Sequence, residues 1–381
     1  MSCSLWETLQ FVEMWMLREV ETRGGEISFR DFMELALYDP DHGYYAAHSA
    51  PWGRDGDFLT APSASDWYGW TLARLFAEIV ELVGTRVRLI DLAAGDGSFL
   101  ASVLDGLGAA GPAIFSGVTA VERSAAMRDQ IRDRLAAADV HIRVAAELTA
   151  DDDGPVVVHA SELYDAMPVH RVRQGTDGLE ELVVAAVGDH LAWRNRPAGT
   201  DLLGYFARHG VTLEEGQLAE VNLAAEPFHR DILRMAGEGL VLVLDYGYEA
   251  ARLYDPRGRR HGSLVSYRRH RVDRDLLDQP GKRDLTAHVN WDDLRHAAAL
   301  CGWVEVAQVP LAELLVRAGI AQVAELRGLG MTAELDAATV TARQEIKRLL
   351  DPEGMGSDLR MLIQGRGALA EAAREILSRE P

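Results

Sequence analysis

Cysteine is almost absent from this chain of 381 residues. Cys3 and Cys301 are its two cysteines, and they lie far apart in the sequence. A disulfide framework or a thiolate metal site needs clustered cysteines, so the sequence excludes both. We therefore expect a protein of a reducing compartment, the cytosol.

Basic charge and long apolar runs are also scarce. The chain has 39 basic and 59 acidic residues and a net charge of −20, so nucleic acid and anionic membranes are not expected as main partners. No apolar run approaches the roughly 20 residues that cross a bilayer. The N-terminus carries acids and no cationic leader, so we expect neither a signal peptide nor a transit peptide.

Several catalytic motifs are missing as well. The sequence contains no His-Glu-x-x-His, no Cys-x-x-Cys and no Gly-x-Ser-x-Gly. Metalloprotease and α/β-hydrolase chemistry therefore has no support, and we expect no bound metal.

The feature around which the chain is organised is a strand, a tight turn and a helix start over residues 86–100. The apolar strand ends near Asp91, and Gly95 and Gly97 have no Cβ to keep a ligand away from the turn. Ser98 is the predicted N-cap of the helix, whose free N–H groups point into the same crevice.

The spacing of this turn helps to distinguish two classes of cofactor. A dinucleotide fingerprint requires a third glycine, and Leu100 occupies that position. The turn instead resembles that of S-adenosylmethionine methyltransferases, which place an acid at the strand end and use a looser glycine turn. The pattern therefore favours S-adenosyl-L-methionine over NAD.

A second acid, Glu122, ends the next apolar run of the sequence. A carboxylate at this edge of an open α/β sheet can accept hydrogen bonds from both ribose hydroxyls of an adenosine. The alternative is a surface Glu that caps the helix from Ser124. Together with the glycine turn, Glu122 favours a nucleoside site.

Five segments, in order, resemble the MidA-type methyltransferases, a family dependent on S-adenosylmethionine. They are Leu37-x-x-Pro-x-x-Gly43-Tyr-Tyr, Gly56-Asp-Phe-Leu-Thr-Ala-Pro62, Ser161-Glu-Leu-Tyr-Asp-Ala-Met-Pro168-Val-His170, Leu244-Asp-Tyr-Gly247-Tyr and Gly281-x-x-Asp-Leu-Thr-Ala-His288-Val. The resemblance runs from about residue 27 to about residue 366. It implies a Rossmann-like domain with an added substrate region and, for the best-known members, symmetric dimethylation of a protein arginine. Mitochondrial members of the family assist assembly of respiratory complex I.

Two positions differ from the family pattern. Asp96 stands where the family has a basic residue, and Ser161 stands where it usually has His. The predicted cofactor contacts are Asp57, Thr60, Pro62, Asp91, Ala93, Gly95, Gly97, Glu122, Arg123, Glu162 and Leu163.

Methyl transfer from a sulfonium is an in-line displacement, so the protein mainly aligns the reactants and excludes water. If the acceptor is a guanidinium, carboxylates must hold it and take up its proton. Glu162 and Asp165, just beyond the predicted fourth strand, are the candidates, although Asp165 could cap a helix and Glu162 could bind cofactor or a backbone amide. His288 is the candidate base for a neutral hydroxyl or amine.

The predicted function is that of a methyltransferase dependent on S-adenosyl-L-methionine. Protein arginine methylation is favoured by the resemblance, and O-, N- or C-methylation of a small molecule is the alternative. A third hypothesis is a non-catalytic assembly or binding protein that keeps the fold. The expected partner is a protein or small-molecule methyl acceptor, and a homodimer is left open.

The predicted fold class is α/β, a Rossmann-like class I methyltransferase sheet with helices on both faces, an N-terminal helical extension and an inserted substrate cap. The parts are residues 1–84, an extension that packs on the core; 85–170 and 239–381, the two halves of the Rossmann-like domain; and 171–238, the cap. Within these parts we predict a hairpin at 179–195, a helical stretch at 212–236, and an antiparallel sheet edge from 285–289 and 304–309. The basic segment 257–271 is a solvated loop or an anion-binding lid.

Overall fold

The computed structural model describes residues 5–47, 60–149, 154–268, 271–273, 275–330 and 336–379. Its first part is helical except for one short strand and comprises α1 (Leu5–Thr22), β1 (Glu26–Ser28), α2 (Phe29–Tyr38), α3 (Tyr44–Ala47), α4 (Ala61–Ala64) and α5 (Asp66–Val83). Strands and helices then alternate, as β2 (Val87–Leu92), α6 (Ser98–Leu107), α7 (Gly111–Ile114), β3 (Phe115–Val121), α8 (Ala125–Arg134), β4 (Ile142–Ala145) and β5 (Val156–Ser161).

The third part is mostly strands and comprises β6 (His170–Gln174), β7 (Leu179–Val187), β8 (His190–Pro197), α9 (Thr200–His209), β9 (Leu218–Val221) and α10 (Ala225–Ala236). The fourth part comprises β10 (Gly239–Tyr248), α11 (Ala250–Leu253), α12 (Pro256–Arg259), β11 (Val265–Arg268), β12 (Arg271–Asp273), β13 (Asp284–Thr286), β14 (Val289–Asn290), α13 (Trp291–Cys301), β15 (Val304–Pro310), α14 (Leu311–Arg317), α15 (Ile320–Leu326), α16 (Ala337–Leu349), α17 (Met355–Asp358), β16 (Leu359–Arg366) and α18 (Ala368–Leu377).

The main sheet has the strand order β15-β16-β10-β5-β2-β3-β4. Strands β10, β5, β2, β3 and β4 run parallel, and β16 and β15 complete one edge antiparallel. The carboxyl ends of the parallel strands therefore lie along one edge of the sheet, which is where ligands bind in open α/β folds.

Strand β10 is buried on both faces because its side chains alternate between two cores. Leu240, Leu242 and Leu244 belong to the core that includes α5, α14 and α18. Val241 and Val243 belong to the core that includes α10 and α13. This alternation follows from the two-residue period of a strand, so helices cover both faces as predicted.

A second sheet has the order β1-β7-β6-β9, with β8 paired to β7. Its first strand comes from the N-terminal part, since β1 pairs antiparallel with β7 through Ile27 and Val184. The buried apolar residues of α1 and α2 form one core with β7 and with Leu264, Leu276, Leu285 and Ala287. The prediction that these two helices pack on the main domain is wrong, because β1 draws them to the second sheet.

Two other local predictions need correction. Residues 212–236 are not one helical stretch, because they contain β9 before α10, while α9 precedes them. Residues 285–289 do not join the antiparallel edge: β13 pairs with β11 in a separate three-stranded sheet, and β14 pairs parallel with the end of β10. The strand that joins 304–310 to the sheet is β16. The predicted hairpin is present as β7 and β8.

Candidate active site

The turn after β2 is built from alternating left-handed residues. Ala93, Gly95 and Gly97 have φ values of 54°, 55° and 80°. Glycine adopts this conformation without strain, but at Ala93 it costs about 1 kcal/mol, and such outliers concentrate at functional sites. Gly97 is the N-cap of α6, so the prediction of Ser98 as N-cap is wrong by one residue.

The unusual Asp96 of this turn is paired with a base from another element. Arg134 of α8 donates to Oδ2 of Asp96 at 2.7 Å and to the hydroxyl of Ser98 at 2.6 Å. Oδ1 of Asp96 in turn accepts from the backbone N–H of Ser98 at 3.0 Å. A positive charge from α8 therefore lies beside the turn.

Asp91 lies within β2 and ends a buried hydrogen-bonded chain. Its Oδ1 accepts from Nδ1 of His159 on β5 at 2.7 Å, which in a neutral imidazole leaves Nε2 to accept from the hydroxyl of Tyr68 at 2.8 Å. Asp91, His159 and Tyr68 are 2%, 1% and 0% exposed, and the ring of Phe99 stacks on the imidazole with the two ring centres 3.7 Å apart. Burial raises the pKa of Asp91, and the contact with His159 opposes that rise.

The other oxygen of Asp91, Oδ2, is buried without a hydrogen-bond partner among the described residues. A buried carboxylate oxygen in this state costs free energy unless a donor reaches it. The amino group of S-adenosylmethionine is a donor of the required charge, so this atom fits the predicted cofactor.

Glu122 follows β3 and holds the glycine turn. Its Oε2 accepts from the N–H of Gly95 at 3.0 Å, and its Oε1 accepts from the N–H of Ser124 at 2.8 Å. A carboxylate has about four lone-pair sites, so two remain for ligand hydroxyls. Ser124 caps α8 through its own side chain and Glu122 is buried, so the alternative of a surface Glu that caps this helix does not hold. Arg123 is exposed, with its guanidinium 4.6 Å from the ring centre of Tyr38.

Glu162 joins two distant sequence segments immediately after β5. It has a left-handed φ of 51°, and its Oε1 accepts from the N–H of Ala61 at the start of α4 at 3.2 Å. Thr60 caps α4 through its side chain, and Pro62 lies in the first turn of that helix. Asp57, in the same motif, lies outside the described residues.

Leu163 is partly buried and packs against the core that contains Ile90 and Leu92 of β2. Its side chain therefore connects the end of β5 with the strand that leads into the glycine turn.

Four carboxyl groups gather where β5 and β10 end. They belong to Glu162, Asp165, Asp245 and Asp284. Burial raises the pKa of Glu162 and of Asp165 well above the usual range, and the neighbouring negative charges raise both further. Burial also raises the pKa of Asp245 to about 8, although backbone N–H groups of Tyr246 and Tyr164 donate to its carboxylate at 2.8 and 2.9 Å.

Two tyrosines border this carboxylate group. Tyr45 donates its hydroxyl to Asp284 at 2.9 Å, and Tyr38 donates to the carbonyl of Ala166 at 2.9 Å. Their rings stack with centroids 5.4 Å apart. Burial and the charge of Asp284 raise the pKa of both hydroxyls, so the tyrosines remain neutral. Together they form an uncharged aromatic wall beside the acids.

The cofactor side and the carboxylate group lie near enough for charges from both to act on one residue, Tyr68. Asp91 and Glu162 both raise the pKa of Tyr68, after the effect of burial, so their charges act at the same hydroxyl. Asp91 also raises the pKa of Glu122, whose main cause of elevation is again burial. The predicted residues on β2, β3 and β5 are therefore brought together.

His288 lies next to this crevice but contacts a cation. The backbone N–H of Ala287 donates to the carbonyl of Asp165 at 2.9 Å, whereas Nδ1 of His288 accepts from Arg259 at 2.9 Å. Burial, assisted by the charge of Arg259, lowers the pKa of His288 to about 4. An imidazole with this pKa is neutral at pH 7 and a weak base, which disfavours the role of general base predicted for it.

Sequence reasoning missed several residues of the crevice. Asp245 and Asp284 lie inside motifs that were recognised, and Asp245 could have been found as a third acid at a strand end. The contact of His159 with Asp91 depends on the pairing of β2 with β5, and the contact of Tyr68 with His159 depends on the packing of α5; local sequence reveals neither.

The described residues contain no group of three or more His, Cys, Asp or Glu side chains arranged to hold a metal ion. The four acids are therefore not grouped as metal ligands.

No helix in the described part of the chain is both long and apolar enough to span a membrane.

The sequence of this chain is similar to those of known methyltransferases. The sequence matches the family of S-adenosyl-L-methionine-dependent methyltransferases over residues 71–308. It is 26% identical to the mitochondrial protein arginine methyltransferase NDUFAF7 homolog of Drosophila melanogaster, over 91% of this chain and 83% of that protein. It is 25% identical to human mitochondrial protein arginine methyltransferase NDUFAF7, over 72% of this chain and 66% of that protein. These relatives are named as mitochondrial, so the cytosolic location remains a prediction.

Solved structures extend the similarity to the whole fold. A Burkholderia thailandensis protein bound to S-adenosyl-homocysteine has a TM-score of 0.84 and 28% identity, covering 100% of this chain and 98% of that one. A second Burkholderia thailandensis structure of the same superfamily has a TM-score of 0.80 and 28% identity, covering 97% and 96%. The predicted α/β architecture is confirmed, and the first of these neighbours holds the demethylated form of the predicted cofactor.

Proposed function

We propose, because the chain belongs to the family of S-adenosyl-L-methionine-dependent methyltransferases, that its methyl acceptor is the guanidinium of a protein arginine. The observation that carries this proposal is the group of four carboxyls at the ends of β5 and β10. Among the described residues, no cationic side chain forms an ion pair with Glu162, Asp165 or Asp245, and their raised pKa values come from burial and from one another. A guanidinium is the cation that such a group fits best, because it stays charged and donates in a plane to several oxygens.

The cofactor side of the proposal assigns one contact to each strand end. Asp91 accepts from the amino group of the cofactor, the turn at 93–97 approaches its amino acid tail, and Glu122 accepts from its ribose hydroxyls. S-adenosylmethionine supplies, when bound, an electrophilic methyl group on a positively charged sulfur. The buried and unpartnered Oδ2 of Asp91 and the left-handed φ values of the turn support these assignments.

On the acceptor side, the carboxylates hold the guanidinium and manage one proton. Binding of a cation favours their ionised forms, so the elevated pKa values fall when the acceptor arrives. As a guanidinium nitrogen takes the methyl group, it must lose a hydrogen, and an adjacent carboxylate takes up that proton. Glu162 and Asp165 are assigned to orient the guanidinium. Asp245 accepts hydrogen bonds from the backbone N–H groups of Tyr164 and Asp165 and so orders the backbone that carries them.

The relatives support the same acceptor, since the Drosophila and human proteins are both named protein arginine methyltransferases.

The test is transfer of a labelled methyl group from S-adenosylmethionine into proteins of a host extract. We expect label in protein, released by protease and acid hydrolysis as methylated arginine. Glu162→Gln and Asp165→Asn should each lower the rate at least about tenfold, because each removes a charge-assisted hydrogen bond worth about 1.5–3 kcal/mol. Asp189→Asn, in the exposed turn of the β7–β8 hairpin, is the matched control and should keep full activity.

Label that enters only small molecules would contradict arginine as the acceptor. Full activity in both crevice variants, with label in protein, would show that the carboxylate group is not the acceptor site.

A further inference from the structure

A group of basic side chains without a carboxylate partner among the described residues lies beside the carboxylate group. The guanidinium carbons of Arg252 and Arg259 are 4.3 and 4.1 Å from the ring centre of Tyr248, so they are at most about 9 Å apart. Arg259 also donates to His288. We call Arg252, Tyr248, Arg259 and His288 the arginine group.

The arginine group is unusual in a chain with a net charge of −20. Neither arginine forms an ion pair with a carboxylate among the described residues, although Arg260 next to them pairs with Glu214 at 3.3 Å. Two like charges within about one Debye length repel each other, and a bound anion would relieve that repulsion. The remaining guanidinium N–H groups and the free imidazole N–H of His288 are donors, so the chemistry fits a carboxylate or phosphate.

The two charged groups are carried by the same pair of chain segments. Strand β10 carries Asp245 and, three residues on, Tyr248; the segment that contains β13 and β14 carries Asp284 and, four residues on, His288. At about 3.3 Å per residue in extended chain, the groups are separated by roughly 10–13 Å along these segments. Between backbones this distance corresponds to about three or four residues of an extended peptide, and the reach of long Arg and Glu side chains allows an offset of two as well.

We propose that the arginine group binds an acidic side chain of the methyl acceptor, two to four residues from the arginine that is methylated. This inference rests on the proposed function and adds a sequence preference to it. It also explains how a protein of strong negative charge accepts an acidic segment, since basic side chains lie where that segment would bind.

The test uses short peptides of Gly and Ser that carry one Arg and one Glu, with the Glu placed from four residues before to four residues after the Arg. Matched peptides carry Gln in place of Glu. We expect kcat/KM to favour Glu over Gln about five- to tenfold at one or more of the offsets of two to four, and this preference to shrink between 50 and 300 mM salt. A second peptide set with phosphoserine in place of Glu tests whether phosphate is preferred to carboxylate.

The variant Arg252→Gln/Arg259→Gln should lose the preference. The control Arg343→Gln/Arg348→Gln changes the net charge equally through exposed residues of α16 and should keep it. The dissociation constant of S-adenosylmethionine should be the same in both, because the inference assigns the arginine group to the acceptor and not to the cofactor.

The outcomes separate the two proposals. Methylation of the peptides without preference for Glu, or a preference that survives in the Arg252 and Arg259 variant, overturns this inference and leaves arginine methylation standing. Weaker cofactor binding in that variant, or a stronger preference for phosphoserine than for Glu, also overturns it. Both proposals are overturned if no peptide is methylated while the same enzyme labels proteins of the host extract at residues other than arginine.

Discussion

The buried chain from Tyr68 through His159 to Asp91 leads to a sharp prediction for Asp91→Asn. Asparagine has nearly the same shape, and its oxygen can still accept from Nδ1 of His159. What changes is Oδ2, the buried oxygen without a partner, which becomes an uncharged N–H₂ donor. If this atom faces the amino group of the cofactor, a charge-assisted hydrogen bond is replaced by a repulsive contact.

The magnitude follows from the strength of such a bond. A hydrogen bond to a charged group contributes about 1.5–3 kcal/mol, which corresponds to roughly a 10- to 150-fold rise in the dissociation constant of S-adenosylmethionine. The fold should not suffer. Because burial raises the pKa of Asp91, ionisation opposes folding, so its stabilising contribution is full at low pH and is lost as pH rises. At pH 8 the Asn variant should therefore melt at the same temperature as the wild type or higher.

Calorimetry with two nucleosides isolates the contact. S-adenosylmethionine carries the amino acid tail, and 5′-methylthioadenosine lacks it. Asp91→Asn should weaken the first and leave the second unchanged. His159→Phe, which removes the partner of Asp91, should act in the same direction, whereas Tyr68→Phe changes only the far end of the chain and is the control. An unchanged affinity for S-adenosylmethionine in Asp91→Asn, or an equal loss for both nucleosides, would refute the reasoning.

Three more predictions address other parts of the crevice. Glu122→Gln should weaken S-adenosylmethionine and 5′-methylthioadenosine alike in calorimetry, because the ribose is common to both; a loss confined to one would contradict the assignment. Gly97→Val should lower the free energy of unfolding by about 1–2 kcal/mol or more, and with it the melting temperature, because the left-handed φ disfavours any side chain and a Cβ there would lie 3.2 Å from Ile131. An unchanged melting curve would contradict this. In the wild type, kcat/KM for an arginine peptide should rise with pH and level off near pH 8, where Asp245 ionises. The acceptor stays cationic over this range, whereas the carboxylates must lose protons to bind it. In Asp245→Asn the rise should be flatter, and an identical pH profile would rule out that group as its cause.

The parts of this site that sequence could predict are local in the chain. The turn at 93–97 and Glu122 follow buried strands directly, so alternation of apolar residues with glycines and acids is enough to locate them. The fold class was also accessible, because strands and helices alternate from Val87 to Ser161.

The parts that sequence could not predict depend on strand register and long-range pairing. His159 is opposite Asp91 only because β5 lies beside β2 in that register. Strand β16 was missed because the short apolar run of Leu359–Arg366 fits a strand or a buried helix equally well. His288 was expected near a nucleophile, but its contact with Arg259 arises because the fold brings the end of α12 to the connection between β13 and β14.

The pairing of β1 with β7 has a consequence for how this protein is synthesised. Ile27 finds its partner at Val184, so more than 150 residues must leave the ribosome before this strand can pair. At about 5–20 residues per second, that interval is roughly 10–30 s, during which the apolar faces of α1 and α2 lack the second sheet on which they pack. The segment of α1, β1 and α2 is therefore exposed to misassociation until β7 emerges, and it should be a place where a folding assistant binds.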